Sequence, residues 1–509
     1  MSFAVDNKKI AKNTIALYSR MAITMVISFF TARVTLQQLG VEDYGLNNLV
    51  GSIVSMFSFI NGSMGTAVQR FYSIEIGKGN EERLKRVFGT GLYLHICVAV
   101  ITVVLAEIFA IFFLHKMNIP EERQLAAQVV FQISIVSLAV NIINVPYAAL
   151  LRSREMFDKT AMVEIVQAFL RLGILYLLVV IDFDKLILLS VLGFGVTLYY
   201  VGTLTVLARR FDESHVIPLR DSELTKQMLS FITMLLITVL CQLANTQGLV
   251  MLINLFFGLV INAAYAVAVQ VSNMVNTFAM SFKQPMVPQM MAACGAKDYV
   301  SMHKIINMGT KITFLLLMMI SVPVFFEADF LLKIWLKTPP EHAANLVRLV
   351  VIYINISSFT YFQYQGVHAT GNIKAQQIWM STLYLSNILF IYIAFNLGAD
   401  FEAALYVNMF VSLIQCLVNL LYARKLYSYN IRSFAINILT PCLIIMSVTC
   451  SVDYGLVNAF STSFIRMTLI FFNSEIILMG LGYLLLLNKS EKLKVRELIN
   501  NLLIKRIHE

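Results

Sequence analysis

Residues 14–37 read TIALYSRMAITMVISFFTARVTLQ, an apolar stretch of the length needed to cross a bilayer. About thirteen more stretches of this kind fill most of the remaining chain. The 509 residues are 58% hydrophobic and 13% charged, whereas soluble domains carry roughly 25% charged residues. The apolar runs are continuous and do not alternate with polar residues, which favours helices over a membrane β-barrel. The sequence therefore predicts an all-α integral membrane protein.

The apolar stretches predict about fourteen membrane-spanning helices. Their ranges are 14–37, 46–70, 88–114, 126–151, 160–181, 186–208, 227–250, 255–281, 305–326, 344–367, 375–397, 402–423, 433–452 and 464–487. No connection between them exceeds roughly 20 residues, so we expect no inserted soluble domain. The first stretch lacks the short apolar core and cleavage site of a signal peptide, which indicates a retained span.

The formal charge of +10 follows from the predicted topology. With the N-terminus in the cytoplasm, connections on that side hold about 29 of the 39 lysines and arginines, and outer connections hold about 7. This asymmetry follows the positive-inside rule and explains the basic composition without a nucleic-acid partner. An even number of spans then places both termini in the cytoplasm.

No pattern of catalytic or metal-binding residues stands out in the sequence. The six cysteines form no C-x-x-C pair, which argues against a zinc site or a disulfide framework. The nucleophile elbow, the Walker A loop and the H-E-x-x-H motif are missing. We therefore expect no enzyme activity, no cofactor and no metal, and a gradient of an ion or of the substrate as the source of energy.

Two segments about 220 residues apart resemble each other. The first reads GVEDYGLNNLVGSIVSMFSFINGSMGTAVQRFYS, and the second reads FGLVINAAYAVAVQVSNMVNTFAMSFKQPMVPQM. Each is followed by a basic connection that contains a glycine, Gly77 or Gly295. A duplication predicts two six-helix lobes, and chance similarity between two amphipathic hairpins is the alternative. The predicted layout is 1–213 for the first lobe, 214–426 for the second, 427–487 for two additional spans and 488–509 for a basic cytoplasmic tail.

Polar side chains form stripes along several predicted spans. In the fifth span Glu164 and Arg171 share one helix face, and in the first Arg20 shares a face with threonines and serines. A charge at bilayer depth is costly unless it faces a partner or a hydrated cavity, so these stripes predict a wet, basic interior that suits an anionic substrate. The candidate substrate-binding residues are Arg20, Asn48, Gln69, Arg70, Arg171, Asn245, Asn273, Lys283 and Gln284.

Each stripe also has a structural interpretation. Small polar residues mark tight helix contacts in membranes, and Arg70 and Lys283 lie where basic anchors are common. Glu164 is the candidate for proton coupling, although it could serve only as an ion-pair partner of Arg171. Glu42 and Asp43 form an acidic outer turn, which could either gate the outer mouth or simply be solvated.

Four segments resemble the polysaccharide-type oligosaccharide flippases of the multidrug/oligosaccharidyl-lipid/polysaccharide (MOP) exporter superfamily. They are LGVEDYGLNNLV (39–50), EIGKGNEERLKRVF (75–88), VPYAALLRSREMF (145–157) and SFKQPMVPQM (281–290). The resemblance covers essentially the whole chain, and it rests on the order and spacing of these short motifs.

The resemblance implies two six-helix lobes around a central cavity, with two extra C-terminal helices. It implies a bacterial inner-membrane protein that flips undecaprenyl-diphosphate-linked oligosaccharide for surface polysaccharide, O-antigen or capsule synthesis. Arg20 best fits the basic residue that would engage the diphosphate, followed by Arg70, Arg171 and Lys283. The expected partners are this lipid-linked substrate, membrane lipids, a proton or another coupling ion, and polysaccharide polymerase machinery.

Two other functions remain open at this point. The first is a cation-coupled multidrug exporter of the same superfamily, which would need carboxylates in its cavity. The predicted first, seventh and eighth spans hold no Asp or Glu, which argues against it. The second is a membrane polysaccharide polymerase or ligase, which would need catalytic residues on a long outer segment that the predicted topology lacks.

Overall fold

The computed structural model describes residues 7–113, 120–215, 218, 221–488 and 491–492. All regular structure in these residues is helical. The α-helices are α1 (Asn7–Lys78), α2 (Glu81–Phe113), α3 (Gln124–Ser153), α4 (Phe157–Val180), α5 (Lys185–Ala208), α6 (Ser222–Lys283), α7 (Met286–Gly295), α8 (Tyr299–Phe326), α9 (Ala328–Leu336), α10 (Ala343–Ser358), α11 (Tyr361–Thr370), α12 (Lys374–Asn396), α13 (Ala403–Tyr427), α14 (Ile431–Phe434), α15 (Thr440–Ala459) and α16 (Phe464–Leu481).

Length and hydropathy identify eleven candidate membrane spans within the described residues. Two predicted spans, 227–250 and 255–281, lie within the single helix α6, which kinks at Gly258 with φ 77°. The first two predicted spans lie in the same way within α1, which kinks at Gly40 with φ 76°. Only glycine adopts such a left-handed backbone at little cost. Gly40 lies between two predicted spans, whereas Gly258 lies inside the predicted span 255–281, which therefore starts too early. The predicted fold class, a multi-pass all-α membrane protein, is confirmed.

Contacts group the chain into two compact units. Unit 1 comprises Met1–Val239 and Gln284–Met302, and unit 2 comprises Leu240–Lys283 and His303–Glu509. In unit 1, apolar side chains of α1, α2, α3 and α5 form one core cluster around Phe131. In unit 2, a larger cluster joins the end of α6 to α8, α9, α10, α12 and α13. The lobe boundaries predicted at residues 213 and 426 stay predictions.

The end of α1 crosses α7 within unit 1 through two glycines. A Cβ at Gly77 would lie 2.8 Å from Ala292 Cα, and a Cβ at Gly295 would lie 2.9 Å from Ile74 Cα. Gly77 and Gly295 are 218 positions apart in the sequence, as are Ile74 and Ala292. Gly77 contacts Ala292, and their counterparts in the other segment, Gly295 and Ile74, contact each other in the same way. Such an exchange of equivalent contacts is typical of an interface with two-fold symmetry. An internal duplication would produce this arrangement.

The last two long helices, α15 and α16, are tied to the rest of unit 2 by a buried ion pair. Arg466 at the start of α16 donates to Glu327, with Nε to Oε1 at 2.6 Å and Nη2 to Oε2 at 2.9 Å. Glu327 precedes α9 and is 1% exposed. A bidentate guanidinium–carboxylate contact fixes distance and orientation together, so it holds this helical hairpin at a defined position in unit 2.

We expect Gly77→Ala to lower the midpoint temperature of thermal unfolding, because the added Cβ would overlap the α7 backbone. Overpacking of this kind costs about 1–3 kcal/mol. Gly202→Ala in α5 is the matched control, since nothing lies within 4 Å of a Cβ at that position. Measurements on detergent-purified protein should show a lower midpoint only for Gly77→Ala, and equal midpoints for the two variants would contradict the close crossing.

Candidate functional site

An ion pair between two membrane helices forms the centre of the candidate site. Arg20 of α1 donates from Nη1 to Oε2 of Glu164 in α4 at 2.5 Å. The side chains are 24% and 30% exposed, so the pair is neither fully solvated nor sealed in the protein. Ionisable groups inside membrane segments are rare and usually pair or face a cavity. Arg20 and Glu164, predicted separately for substrate binding and coupling, are thus brought together.

Two further side chains of unit 1 lie around this pair. Arg152, in the last turn of α3, is within electrostatic range of Glu164 and of Tyr200 in α5. Tyr200 is also within range of Arg20 and Glu164. The Nε atom of Arg152 is buried and has no hydrogen-bond acceptor among the described residues. We call these four residues the arginine cluster; two guanidinium groups and one carboxylate give it a formal charge of +1.

The predicted span 126–151 leaves Arg152 in the basic cytoplasmic connection that follows it. In the structure α3 continues to Ser153, and Arg152 lies inside the helix. A signal for it exists: Ser137, Asn141, Asn144 and Arg152 fall within about 80° on one helix face. That stripe was overlooked because the apolar stretch was ended at residue 151.

Arg171 does not pair with Glu164, although the shared helix face had suggested such a pair. It is exposed on α4, while Glu164 contacts Arg20 of α1. Helix periodicity places residues on a face but cannot show which neighbouring helix covers that face, and α1 supplies the closer cation. The contribution of Arg171 to substrate binding stays a prediction.

Arg70 is enclosed by aromatic rings in unit 1. It is 8% exposed, and its guanidinium carbon lies 4.9 Å from the ring centroid of Phe71 and 4.8 Å from that of Phe231. Cation–π contacts of this geometry are attractive, and more so when they are desolvated. This enclosure differs from the solvent-facing position of an ordinary basic anchor. Gln69, its neighbour on α1, is half-buried.

Lys283 is enclosed in a similar way in unit 2. It is 5% exposed at the end of α6, with Nζ 4.7 Å from the ring centroid of Tyr361 in α11. No carboxylate among the described residues forms an ion pair with it. Burying an unpaired ammonium is costly, so an enclosed lysine is a candidate for contact with an anion. Gln284, which follows it in the chain, is half-buried.

The predicted asparagines differ in their surroundings. Asn245 of α6 accepts a hydrogen bond from Nδ2 of Asn387 at 2.8 Å, and the same amide donates to Asn408 at 2.6 Å. Asn245 therefore contributes to helix packing in unit 2. Asn273 is exposed. The side chains of Asn48 and of Glu42, the second gate candidate, lie outside the described residues.

Asp43 belongs to an ion-pair network in unit 1 and is not a solvated residue. It is 8% exposed and accepts from Arg123, whose Nε lies 2.7 Å from Oδ1. Arg123 Nη1 also donates to Oδ2 of Asp184 at 2.5 Å. Asp184 caps α5 by accepting from the backbone N–H groups of Leu186 and Ile187. The network joins the α1 kink to the starts of α3 and α5, and the gating role of Asp43 stays a prediction.

Two opposing effects act on the pKa of Asp184. Partial burial tends to raise it, but hydrogen bonds from Ile187 and Arg123 outweigh burial and lower the pKa below its ordinary value of 3.8. A carboxylate with a lowered folded-state pKa stabilises the fold above its unfolded pKa. This contribution is lost as the pH falls below 3.8 and through the folded-state pKa.

We expect Arg123→Gln to destabilise unit 1, because it removes the cation shared by Asp43 and Asp184. Leaving a buried acceptor without its donor costs about 1–3 kcal/mol. Arg210→Gln is the control, since Arg210 is exposed in the turn that follows α5. At neutral pH, Arg123→Gln should have a lower midpoint temperature of thermal unfolding than Arg210→Gln, and this difference should become smaller in strong acid. A difference in midpoint that is the same in acid would show that ionised Asp184 does not contribute to stability.

Comparisons with known proteins agree with the membrane fold. Residues 19–177, from α1 into α4, match the family model MatE. No curated protein matches the chain by sequence. Among the described residues, no group of three His, Cys, Asp or Glu side chains is placed to hold a metal ion.

Several solved structures share the fold. A crystal structure of a MATE mutant superimposes with a TM-score of 0.72 at 13% identity, covering 83% of this chain and 96% of that one. An outward-facing multidrug resistance MATE family transporter of the MOP superfamily gives 0.69 at 12% identity, with the same coverage. A MOP superfamily transporter from Pyrococcus furiosus, whose binding pocket is described as having reverse polarity, gives 0.70 at 12% identity and covers 83% of this chain and 96% of that one.

Proposed function

We propose that this protein is a membrane transporter that works by alternating access and carries an anionic, phosphate-bearing substrate. The MatE match and the MATE-like fold support the transport part of the proposal. The two glycine kinks and the glycine crossing support internally repeated halves, an arrangement that many transporters use to expose a site alternately to each side.

The arginine cluster is the observation that carries the substrate class. Glu164 can neutralise only one of its two guanidinium groups, Arg20 and Arg152. An uncompensated cation among membrane helices is costly, and a bound phosphate would remove that cost. Guanidinium groups bind phosphate oxygens in a bidentate geometry, which ammonium groups cannot do. The enclosed cations Arg70 and Lys283 add positive charge within each unit.

The sequence resemblance to oligosaccharide flippases suggests an undecaprenyl-diphosphate-linked oligosaccharide as the substrate. This lipid has the phosphate groups that the arginine cluster would bind. Its diphosphate needs cations to cross the hydrocarbon, and its sugars need hydroxyl and amide partners. Its lipid chain can stay in the bilayer while the head group crosses. We therefore propose flipping of such a lipid across the bacterial inner membrane for surface polysaccharide synthesis.

A multidrug exporter is the second candidate, and the comparisons favour it over the first. The matching family is MatE, and a structural match is described as a multidrug resistance transporter. Glu164 would then be the cavity carboxylate that binds a cationic drug or a proton. The Pyrococcus furiosus protein is described as having a binding pocket of reverse polarity. It supports the idea that this fold accommodates binding pockets of either charge.

The two candidates differ in which ligand binds and which side chain is needed. We expect purified protein in lipid nanodiscs to bind a polyprenyl diphosphate glycan, and Arg152→Ala to weaken that binding about tenfold or more. The estimate follows from the loss of a charge-assisted hydrogen bond of about 1.5–3 kcal/mol. Arg152→Lys should recover part of the affinity, and Arg210→Ala, at an exposed arginine just after α5, is the control.

Arg20→Ala should abolish surface glycan export in cells, because it removes the other guanidinium group of the arginine cluster. Membrane insertion should stay normal. Mass spectrometry of co-purifying lipids gives an independent readout, and a polyprenyl diphosphate glycan is the expected species. Tight binding of a lipophilic cation that Glu164→Gln abolishes, together with wild-type glycan export by Arg20→Ala, would overturn the flippase proposal in favour of the exporter.

We also expect Glu164→Gln to remove the dependence of transport on a proton gradient in proteoliposomes. The carboxylate can exchange between its Arg20 contact and a proton, whereas an amide cannot. Glu107→Gln is the control, because Glu107 accepts a hydrogen bond from Gln132 away from the arginine cluster. Unchanged proton dependence in Glu164→Gln would exclude this residue from coupling.

A further inference from the structure

A carboxylic acid lies between the two C-terminal helices of unit 2, far along the chain from the arginine cluster. Asp453 of α15 is completely buried, nearly two turns before the helix ends at Ala459. Its partners are on α16: Asn473 Nδ2 lies 2.6 Å from Oδ1, and Ser474 Oγ lies 2.8 Å from Oδ2. Neither partner carries a charge.

The hydroxyl of Ser474 decides the protonation state of Asp453. Ser474 Oγ lies 2.6 Å from the carbonyl oxygen of Ile470 as well as 2.8 Å from Asp453 Oδ2. A serine hydroxyl has one proton to donate, and a backbone carbonyl has none. If Ser474 donates to Ile470, the short contact with Asp453 needs a proton on the carboxyl group. If it donates to Asp453, two oxygens without a proton between them face each other at 2.6 Å.

We infer that Asp453 is a proton-binding site, held as a neutral carboxylic acid that donates from Oδ2 to Ser474 Oγ. Ser474 passes its own proton to Ile470 O, and Asn473 donates to the remaining oxygen of Asp453. Every donor and acceptor in this row of three hydrogen bonds then has a partner, as a low-dielectric environment requires. The site stands independently of the transport proposal.

The surrounding charges agree with a neutral acid. Three basic side chains of α8, α10 and α16 pair with carboxylates other than Asp453: Lys311 with Glu491, Arg348 with Asp329 and Arg466 with Glu327. On α15 itself, Cys450 is within electrostatic range of Asp453. Glu475 follows Ser474 on α16, and one of its oxygens is buried without a hydrogen-bond partner among the described residues. An ionised Asp453 would therefore have Cys450 as a neighbour that gains no stability from its charge.

The proton has a consequence for the hairpin. When it leaves, the Asp453–Ser474 hydrogen bond loses its donor, and a charge appears between two membrane helices. Both effects favour separation of α15 from α16, so binding of the proton stabilises their packing. The hairpin should consequently loosen under alkaline conditions, a response that differs in origin from any proton coupling at Glu164.

Infrared spectroscopy of the full-length protein in nanodiscs tests this directly. At neutral pH, the wild-type spectrum minus that of Asp453→Asn should show the C=O stretching band of a protonated carboxylic acid. Glu475→Gln is the matched control and should retain this band. Ser474→Ala, which removes the acceptor, should keep the band and shift it to higher frequency. A difference spectrum that contains carboxylate bands instead of the acid band would overturn the inference.

Thermal unfolding gives a second readout in case a variant folds poorly. An asparagine amide can replace the O–H donor, so Asp453→Asn should match the wild type at neutral pH. Raising the pH should lower the wild-type midpoint more than that of Asp453→Asn. Equal alkaline shifts in the two proteins would show that no proton leaves Asp453, and would count against the site as proposed.

Discussion

The cost of placing charge in hydrocarbon governs the polar part of this structure. Three ionisable groups in or beside membrane helices meet that cost in three ways. Arg20 pairs with Glu164 in a contact that keeps partial exposure, and Arg466 pairs with Glu327 in a buried bidentate contact. Asp453 has only neutral partners, and a bound proton removes its charge. The degree of exposure separates these pairs: the sealed Arg466 pair fixes a helix position, whereas the partly exposed Arg20 pair is the one that we propose to exchange partners with a ligand.

The helical architecture could be predicted because hydrophobic length alone specifies a membrane span. The turn at Gly40 lies between two predicted spans, whereas the kink at Gly258 falls inside the predicted span 255–281, so the start of that span was wrong. Partners across helices could not be predicted in this way. Periodicity put Glu164 and Arg171 on one face, but α1 covers that face and brings Arg20 to Glu164. Which helices pack together depends on contacts between residues that are distant in sequence, and hydropathy carries no information about them.

The two residues that were overlooked share a cause, which is their position at the end of an apolar stretch. Arg152 follows the predicted span 126–151 directly, and Asp453 follows 433–452 directly. In both cases the helix continues past this residue. A charged residue at the end of an apolar stretch is assigned to the following loop by hydropathy, whereas charges within the stretch, such as Arg20 and Glu164, stay in the span. A search for polar stripes that extend one turn beyond each apolar stretch would have included Arg152.

The substrate question depends on the balance of charge rather than on the fold. Proteins that share this fold at 12–13% identity are too distant for their ligands to be transferred to this chain. An exporter of cations needs a carboxylate that is available to the ligand, and Glu164 is held by Arg20 with Arg152 nearby. A cation entering this cluster would have to displace a guanidinium and tolerate a second one. An anion meets the opposite situation, because it can bind the uncompensated guanidinium without breaking the existing pair. These charges within unit 1 are the support for the proposed phosphate-bearing substrate, whereas the comparisons support a multidrug exporter.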